Sequence, residues 1–193
     1  MLEDYEILEK IGKGKYSQVF LGVHLIKQKK VVLKILKPVA SRKVNRELRV
    51  LLLLQTHPNV MNLSCVLNNP VSKIVTLVSD YYMFDDFEGY IKLFDKQSLK
   101  EYMRQLLVTL DWVHSNGVIH RDIKPQNILY NFQAQKMKLI DFGLAEFYSQ
   151  DKAMSPNVCS KYFKAPELLL GLTNYHYSID IWAAGIIFAS IVH

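Results

Sequence analysis

The sequence predicts an α+β chain in two parts, a five-stranded antiparallel sheet with one helix followed by a mainly helical region. Three observations point there. Short runs rich in Val, Ile and Phe, broken by glycines and polar turns, fill Tyr5 to Leu36, and two more strand-like runs follow one helical stretch before Val78. Beyond that point apolar residues recur at helical spacing. Half of the 193 residues are hydrophobic, enough to bury a core.

Residues 5–36 read as three strands of a meander, punctuated by Gly12, Gly14, Gly22 and the polar turn Lys27 to Lys30. A helix is expected over 42–55, where Val44, Leu48, Leu51 and Leu52 share a face and His57 with Pro58 supplies the stop. Two further strands are expected over 60–67 and 73–78. The tyrosines and acids of 79–86 mark a connector. After it, Ser98 with Glu101 forms an expected capping box, and Leu99, Met103, Leu106, Leu107, Leu110 and Val113 make an apolar stripe that Asn116-Gly117 closes. Short strands are expected over 128–130 and 136–140, a loop over 141–167, and a last helix from Ser178. The chain thus divides into a first lobe at 1–79, a hinge at 80–86 and an incomplete second lobe at 87–193.

Composition narrows the function classes. The net charge is +6, and residues 1–50 hold twelve Lys and Arg against five Asp and Glu, so the excess sits at the N-terminal end and favours an anionic ligand. Nucleic acid is disfavoured, because these basic residues surround a glycine loop without stacking aromatics. Cys65 and Cys159 form neither a zinc pattern nor a disulfide framework. No charged-then-apolar leader opens the chain, and its most apolar helix is broken by Asp180, so a cytoplasmic or nuclear protein off the membrane is expected.

The chemistry is carried by motifs in a fixed order. Gly12-Lys13-Gly14-Lys15-Tyr16-Ser17 joins two strands, where glycines let backbone amides approach phosphate oxygens. Standing alone, such glycines between strands are more often a plain hairpin turn. Lys34 alternates with Leu33 in Val31-Val32-Leu33-Lys34-Ile35, so it shares a face with Val32 and needs an anion, for which Glu47 on the following helix is the candidate. The strongest signal is His120-Arg121-Asp122-Ile123-Lys124-Pro125-Gln126-Asn127, followed by Asp141-Phe142-Gly143.

These residues resemble the catalytic loop and magnesium loop of eukaryotic protein kinases. The resemblance implies a two-lobed kinase-like fold that moves the γ-phosphoryl group of ATP onto a protein serine or threonine with Mg²⁺. Asp122 would orient the hydroxyl and accept its proton, and Lys124 would neutralise the transferred group. Lys34 and Glu47 would serve the α- and β-phosphates, and Asn127 and Asp141 would hold the metal. Lys124 two places after Asp122 is the serine/threonine habit. Ala165-Pro166-Glu167 and Asp180-Ile181-Trp182 follow in family order, the latter with Asp180 either anchoring the catalytic loop or capping a helix.

Gly12 to Phe20, Val32 to Val39, Gly143 to Tyr148 and Ser160 to Leu169 are similar to the casein kinase II catalytic subunit. That family phosphorylates Ser/Thr followed by acidic residues. Arg42, Lys43, Arg46, Lys161 and Lys164 match its substrate-binding basic positions, whereas Ala40, Ser41, Asn45 and Asn157 depart from them. The nucleotide site would comprise Ile11, Gly12, Lys13, Gly14, Lys15, Tyr16, Ser17, Gln18, Val19, Val32, Lys34, Asp80, Tyr82 and Ile140. Ser79 stands where the family has a large aromatic and would open a rear cavity; Phe142 replaces its tryptophan and would free the magnesium loop to swing.

The resemblance further implies a regulatory beta subunit docked at Ile7, Phe20 and Leu33. It also implies helices beyond His193, an arginine partner for a buried Glu167, and a bracing segment before Met1. Phosphorylation of Ser149 or Ser155 would be an alternative brace. The competing reading is a catalytically inactive fragment that binds the beta subunit.

Overall fold

The computed structural model describes residues 2–14, 16–38, 40–85 and 87–193. Its backbone forms two compact units, Met1–Asn45 with Met61–Tyr82, and Arg46–Val60 with Met83–His193. The helix α1 (Ser41–Leu54) carries the chain from the first into the second. No helix among the described residues is long and apolar enough to cross a membrane.

The first unit is one antiparallel sheet of β1 (Tyr5–Lys13), β2 (Ser17–His24), β3 (Lys29–Leu36), β4 (Leu63–Asn68) and β5 (Val75–Asp80), in the order β1-β2-β3-β5-β4. The period of two works as the sequence predicts. Val31 and Leu33 are buried with Val78 against Tyr5, Phe20, Cys65 and Leu67, while Val32 and Lys34 lie half-buried on the other face. Gly22 is obligatory where β1 crosses close to β2: a Cβ there would stand 2.6 Å from the Glu6 carbonyl oxygen and 2.8 Å from Leu33 Cδ1. This packing corrects one expectation. Leu33 is only 3 % exposed, so it is a core residue and not a docking surface.

The buried face of α1 also differs from the expected stripe. Glu47, Val50, Leu51 and Leu54 are buried, whereas Leu52 is 58 % exposed. Four consecutive leucines make several helical registers look equally amphipathic, and the buried one includes a carboxylate that hydrophobicity alone does not select.

The second unit contains α2 (Phe87–Tyr90), α3 (Lys96–Ser115), β6 (Val118–Ile119), β7 (Ile128–Asn131), β8 (Lys136–Leu139), β9 (Glu146–Phe147), α4 (Pro166–Leu169) and α5 (Ser178–Val192). Helix α3 starts earlier than the expected Ser98–Glu101 box. Asp95 is its N-cap: the Asp95 carboxylate accepts from Ser98 N at 2.7 Å, and Ser98 Oγ accepts from Asp95 N at 3.0 Å. Glu101 instead pairs with Arg104. The far end is as expected, with Asn116 as C-cap and Gly117 at φ 73°.

Tyr102, Leu106, Leu110 and Val113 on the inner face of α3 are fully buried, and Tyr90, Phe94, Tyr102, Tyr130 and Phe132 form an aromatic cluster beside them. Hairpin β7–β8 is tied to the end of the 46–60 segment by Leu139 N donating to the Asn59 carbonyl at 2.7 Å. The expected loop over 141–167 is more ordered than its composition suggests. It opens with a 3-10 turn, Phe142–Leu144, then β9 pairs antiparallel with β6, and Ala165, Leu168 and Tyr175 join Ile119, Met154, Val158 and Ile179 in a second core.

Candidate active site

In the first unit the turn between β1 and β2 closes on itself: Gly14 N donates to the Ser17 carbonyl at 2.9 Å, and Lys37 Nζ donates to the Gly14 carbonyl at 3.2 Å. Gly12 faces Val19, whose Cβ would lie 3.3 Å from an added Cβ. Of the expected nucleotide residues here, Ile11 and Tyr16 are exposed, Gln18 and Val19 are half-buried and Ser17 is buried; Lys15 lies outside the described residues. Lys34 sits between Val19 and Leu77 in the sheet register, and Val32 between Leu21 and the buried Ser79. Asp80 accepts from Lys29 Nζ at 2.9 Å, and Tyr82 is half-buried. Arg42 and Lys43 are exposed, Lys43 lying 4.6 Å over the Tyr16 ring.

In the second unit the loop between β6 and β7 converges on one carboxylate. Asp122 is 6 % exposed. Its Oδ2 accepts from Lys124 Nζ at 2.7 Å and from Asn127 Nδ2 at 3.0 Å, and its Oδ1 accepts from Ser160 Oγ at 3.0 Å. Lys124 also donates to Ser160 Oγ at 3.0 Å. Asn127 spends both amide hydrogens on the Asp122 residue, the second on its carbonyl at 2.8 Å, which leaves Asn127 Oδ1 as the acceptor that faces elsewhere. The neighbouring strand end is fastened to the same asparagine, Ile140 N donating to the Asn127 carbonyl at 2.9 Å. Asp141 then adopts a left-handed conformation, φ 59° and ψ 73°, an uncommon state for a non-glycine residue that re-aims its carboxylate.

The loop's backbone is held from below by Asp180. This fully buried carboxylate accepts from His120 N at 2.8 Å and Arg121 N at 2.9 Å, and contacts His114 Nε2 at 2.9 Å. Those bonds answer the two readings of Asp180 in favour of the anchor, and its helix has no side-chain cap. His120 receives Asp122 N on Nδ1 at 3.2 Å and donates from Nε2 to the Ile140 carbonyl at 3.1 Å, so it joins the Asp122 loop to the strand end before Asp141 as its Nε2–H tautomer. Phe142 is fully buried, edge-on to the His120 ring at 4.8 Å. The segment that was expected to swing is therefore wedged by its phenylalanine. Burial, followed by the negative charges of Asp180 and Asp122, pushes the Cys159 thiol up to about 12.

Lys161 is exposed, and Lys164 donates to the Pro156 carbonyl at 3.2 Å. Two expectations are corrected. Arg46 is not an available substrate cation, because its Nη1 lies 2.7 Å from Glu146 Oε2 and its Nη2 donates to the Gly143 carbonyl. Glu167 is half-buried, not enclosed, and accepts from Ser178 Oγ at 3.4 Å. Ser160, Glu146 and Tyr175 were not singled out from sequence. Each is an isolated residue in a loop or a two-residue strand, and its importance lies only in contacts with residues far along the chain.

The order of these elements and the buried Asp122 carboxylate ringed by a lysine, an asparagine and a serine match a known family. A model of the protein kinase domain matches residues 5–193, and the chain belongs to that family. The five-stranded sheet with its helix and the helical second unit are the protein-kinase fold, and the family's activity is phosphoryl transfer to protein.

Proposed function

We propose that the chain transfers the γ-phosphoryl group of ATP to serine or threonine hydroxyls in acidic sequence contexts, as the casein kinase II catalytic subunit does. The observation that carries this reading is the Asp122 carboxylate, buried yet fully engaged by Lys124, Asn127 and Ser160. A carboxylate fixed in this way costs little further reorganisation when a substrate hydroxyl docks beside it. Asp122 orients the attacking oxygen and takes its proton as the new bond to phosphorus forms and the bond to the ADP oxygen breaks. Lys124, bridging Asp122 and Ser160, holds a positive charge where the transferred group becomes more negative.

Mg²⁺ fits the oxygen donors at hand. Asn127 Oδ1 and the Asp141 carboxylate are hard ligands, and magnesium is commonly bound by one or two protein oxygens plus substrate phosphates. No group of three or more His, Cys, Asp or Glu suited to a dedicated metal cage occurs among the described residues. When bound, the ion supplies charge neutralisation on the phosphates. In the first unit, Lys34 is the cation for the α- and β-phosphates, Ile11, Val19 and Val32 offer apolar contact to the base, and the backbone of Asp80 and Tyr82 offers its hydrogen bonds. In the second unit, Glu47 is buried on α1 and Ile140 is half-buried beside Asn127.

The acidic preference rests on exposed Arg42, Lys43 and Lys161 together with Lys164. A regulatory subunit would meet the exposed Ile7 and not Leu33. The test is phosphate transfer to a Ser peptide followed by Asp and Glu, against the same peptide with Arg in those places, at two salt concentrations. The acidic peptide should have a kcat/KM at least about tenfold higher, with the gap narrowing as salt rises. Equal use of both peptides would refute the acidic preference, and a protein that neither shifts its melting temperature with Mg²⁺-ATP nor transfers phosphate would be the inactive binding fragment.

A further inference from the structure

Lys43, assigned above to acidic substrates, already has an electron-rich neighbour. Its Nζ lies 4.6 Å from the centroid of the Tyr16 ring, and an ammonium at that distance over a phenol is attracted by the negative face of the ring. Both side chains are exposed and both belong to the first unit, Tyr16 in the turn between β1 and β2 and Lys43 in the first turn of α1. The contact therefore ties the glycine turn to the helix that bears two of the substrate cations.

Backbone bonds fix where the ring stands. Lys37 N donates to the Tyr16 carbonyl at 2.9 Å, and Ser17 pairs with Leu36 where β2 runs beside β3. Lys37 Nζ adds its bond to the Gly14 carbonyl. The Lys43 backbone is held as well, its N–H donating to the Ala40 carbonyl at 2.8 Å. The first turn of α1 contains Arg42 and Lys43 and no acid, at the positive end of the helix. A cation in that place gains from an electron-rich surface, and the fold provides the Tyr16 ring. The lysine stem is flexible and long enough to swing from the ring to a carboxylate, but swinging forfeits the ring contact. An acidic peptide therefore binds Lys43 with that loss subtracted.

We propose that the Tyr16 ring and acidic substrates compete for the Lys43 ammonium, so that Tyr16 is a specificity-determining residue that holds down the affinity for acidic peptides. The proposal rests on the acidic preference stated above.

The experiment measures, by fluorescence anisotropy, binding of two labelled peptides to the nucleotide-free protein. Both carry Ala in place of the acceptor Ser, one followed by Asp and Glu and the other by Asn and Gln. The proteins are wild type, Tyr16→Leu, Tyr16→Phe, Lys43→Met and the double variant with Tyr16→Leu and Lys43→Met. Tyr16→Leu should bind the acidic peptide about twofold to fivefold more tightly than wild type, the size of an exposed cation–π contact. Tyr16→Phe keeps the ring and should match wild type, and the neutral peptide should not respond to either change. Lys43→Met should bind the acidic peptide more weakly, and adding Tyr16→Leu to it should change nothing.

Equal affinity of wild type and Tyr16→Leu for the acidic peptide would overturn the proposal. So would a gain that persists in the Lys43→Met background or appears equally in Tyr16→Phe, or a Lys43→Met protein with wild-type affinity. A wild type that binds both peptides alike would refute the acidic preference itself and remove the proposal with it, whereas a wild type that prefers the acidic peptide without responding to Tyr16→Leu would refute the proposal alone.

Discussion

The glycine-containing hairpin of β1 and β2 and the catalytic loop between β6 and β7 are built on opposite plans. Strand β1 is exposed along nearly its whole length, with Ile7 51 %, Leu8 49 % and Ile11 43 % accessible, and its turn is closed by a backbone bond and the half-buried Lys37. In the catalytic loop almost every residue from Val118 to Ile128 is buried, and the carboxylates of Asp122 and Asp180 each have three partners. Under the proposed function, the difference follows from what each would have to do. A segment that closes over a ligand has to leave contacts unmade until the ligand arrives, whereas groups that stabilise developing charge work best when fixed beforehand.

The sharpest way to break that contrast is Asp122→Asn. The amide can still accept from Ser160, so the fold should survive, but the proton acceptor is gone, and kcat should fall about 10³-fold with circular dichroism unchanged. Next comes Asp180→Asn, which weakens three bonds at a fully buried site. A loss of about 2–4 kcal/mol in denaturant unfolding is expected, with kcat falling further than KM changes.

On the hairpin side, Gly22→Ala should cost about 1–3 kcal/mol, because the new methyl meets the Glu6 carbonyl oxygen at 2.6 Å. Its effect should appear as a lower melting temperature with little change in kcat. A further contrast is chemical. With its thiol pushed up to about 12, Cys159 should resist iodoacetamide at pH 8 in the folded protein and react once guanidinium is added, as mass spectrometry of the digest would show.

The smallest effect concerns Glu101, outside both regions. Arg104, then Gln105, holds its carboxyl down to about 2, against an ordinary value of 4.5. Its stabilising contribution is therefore present above about pH 4.5 and is lost as the pH falls through about 2. In Arg104→Gln, unfolding free energy measured from pH 5 to 2 should fall less steeply than in the wild type, by a few tenths of a kcal/mol or less for so accessible a pair.

The two regions were also unequally legible in the sequence. The strands were readable because alternation in Val31 to Ile35 and glycine punctuation are local signals, whereas the pairing of β5 and not β4 with β3 is a long-range choice that no local signal marks. The core of the catalytic loop was readable because its residues are adjacent in the chain. Helix starts were less so. Asp95 and Ser98 form the reciprocal cap, whereas Ser98 and Glu101 fit the commoner pattern equally well.

What the sequence hid is the long-range wiring. Glu146 meets Arg46 across 100 residues, Ser160 meets Asp122 across 38, and Arg121 meets Tyr175 across 54. No local period marks such pairs, and Arg46 in particular looked like one more cation in a basic run. The burial of Leu33 was obscured for a related reason. Strand parity gives the face a side chain occupies, but not which face is covered.

The most direct test of the account is amide hydrogen exchange with and without Mg²⁺-ATP. The amides of His120 and Arg121, held by Asp180, should be strongly protected before nucleotide is added and change little afterwards, while peptides covering residues 11–19 should exchange quickly and slow on its addition. Catalytic-loop amides that exchange as fast as the hairpin in the nucleotide-free protein would contradict it.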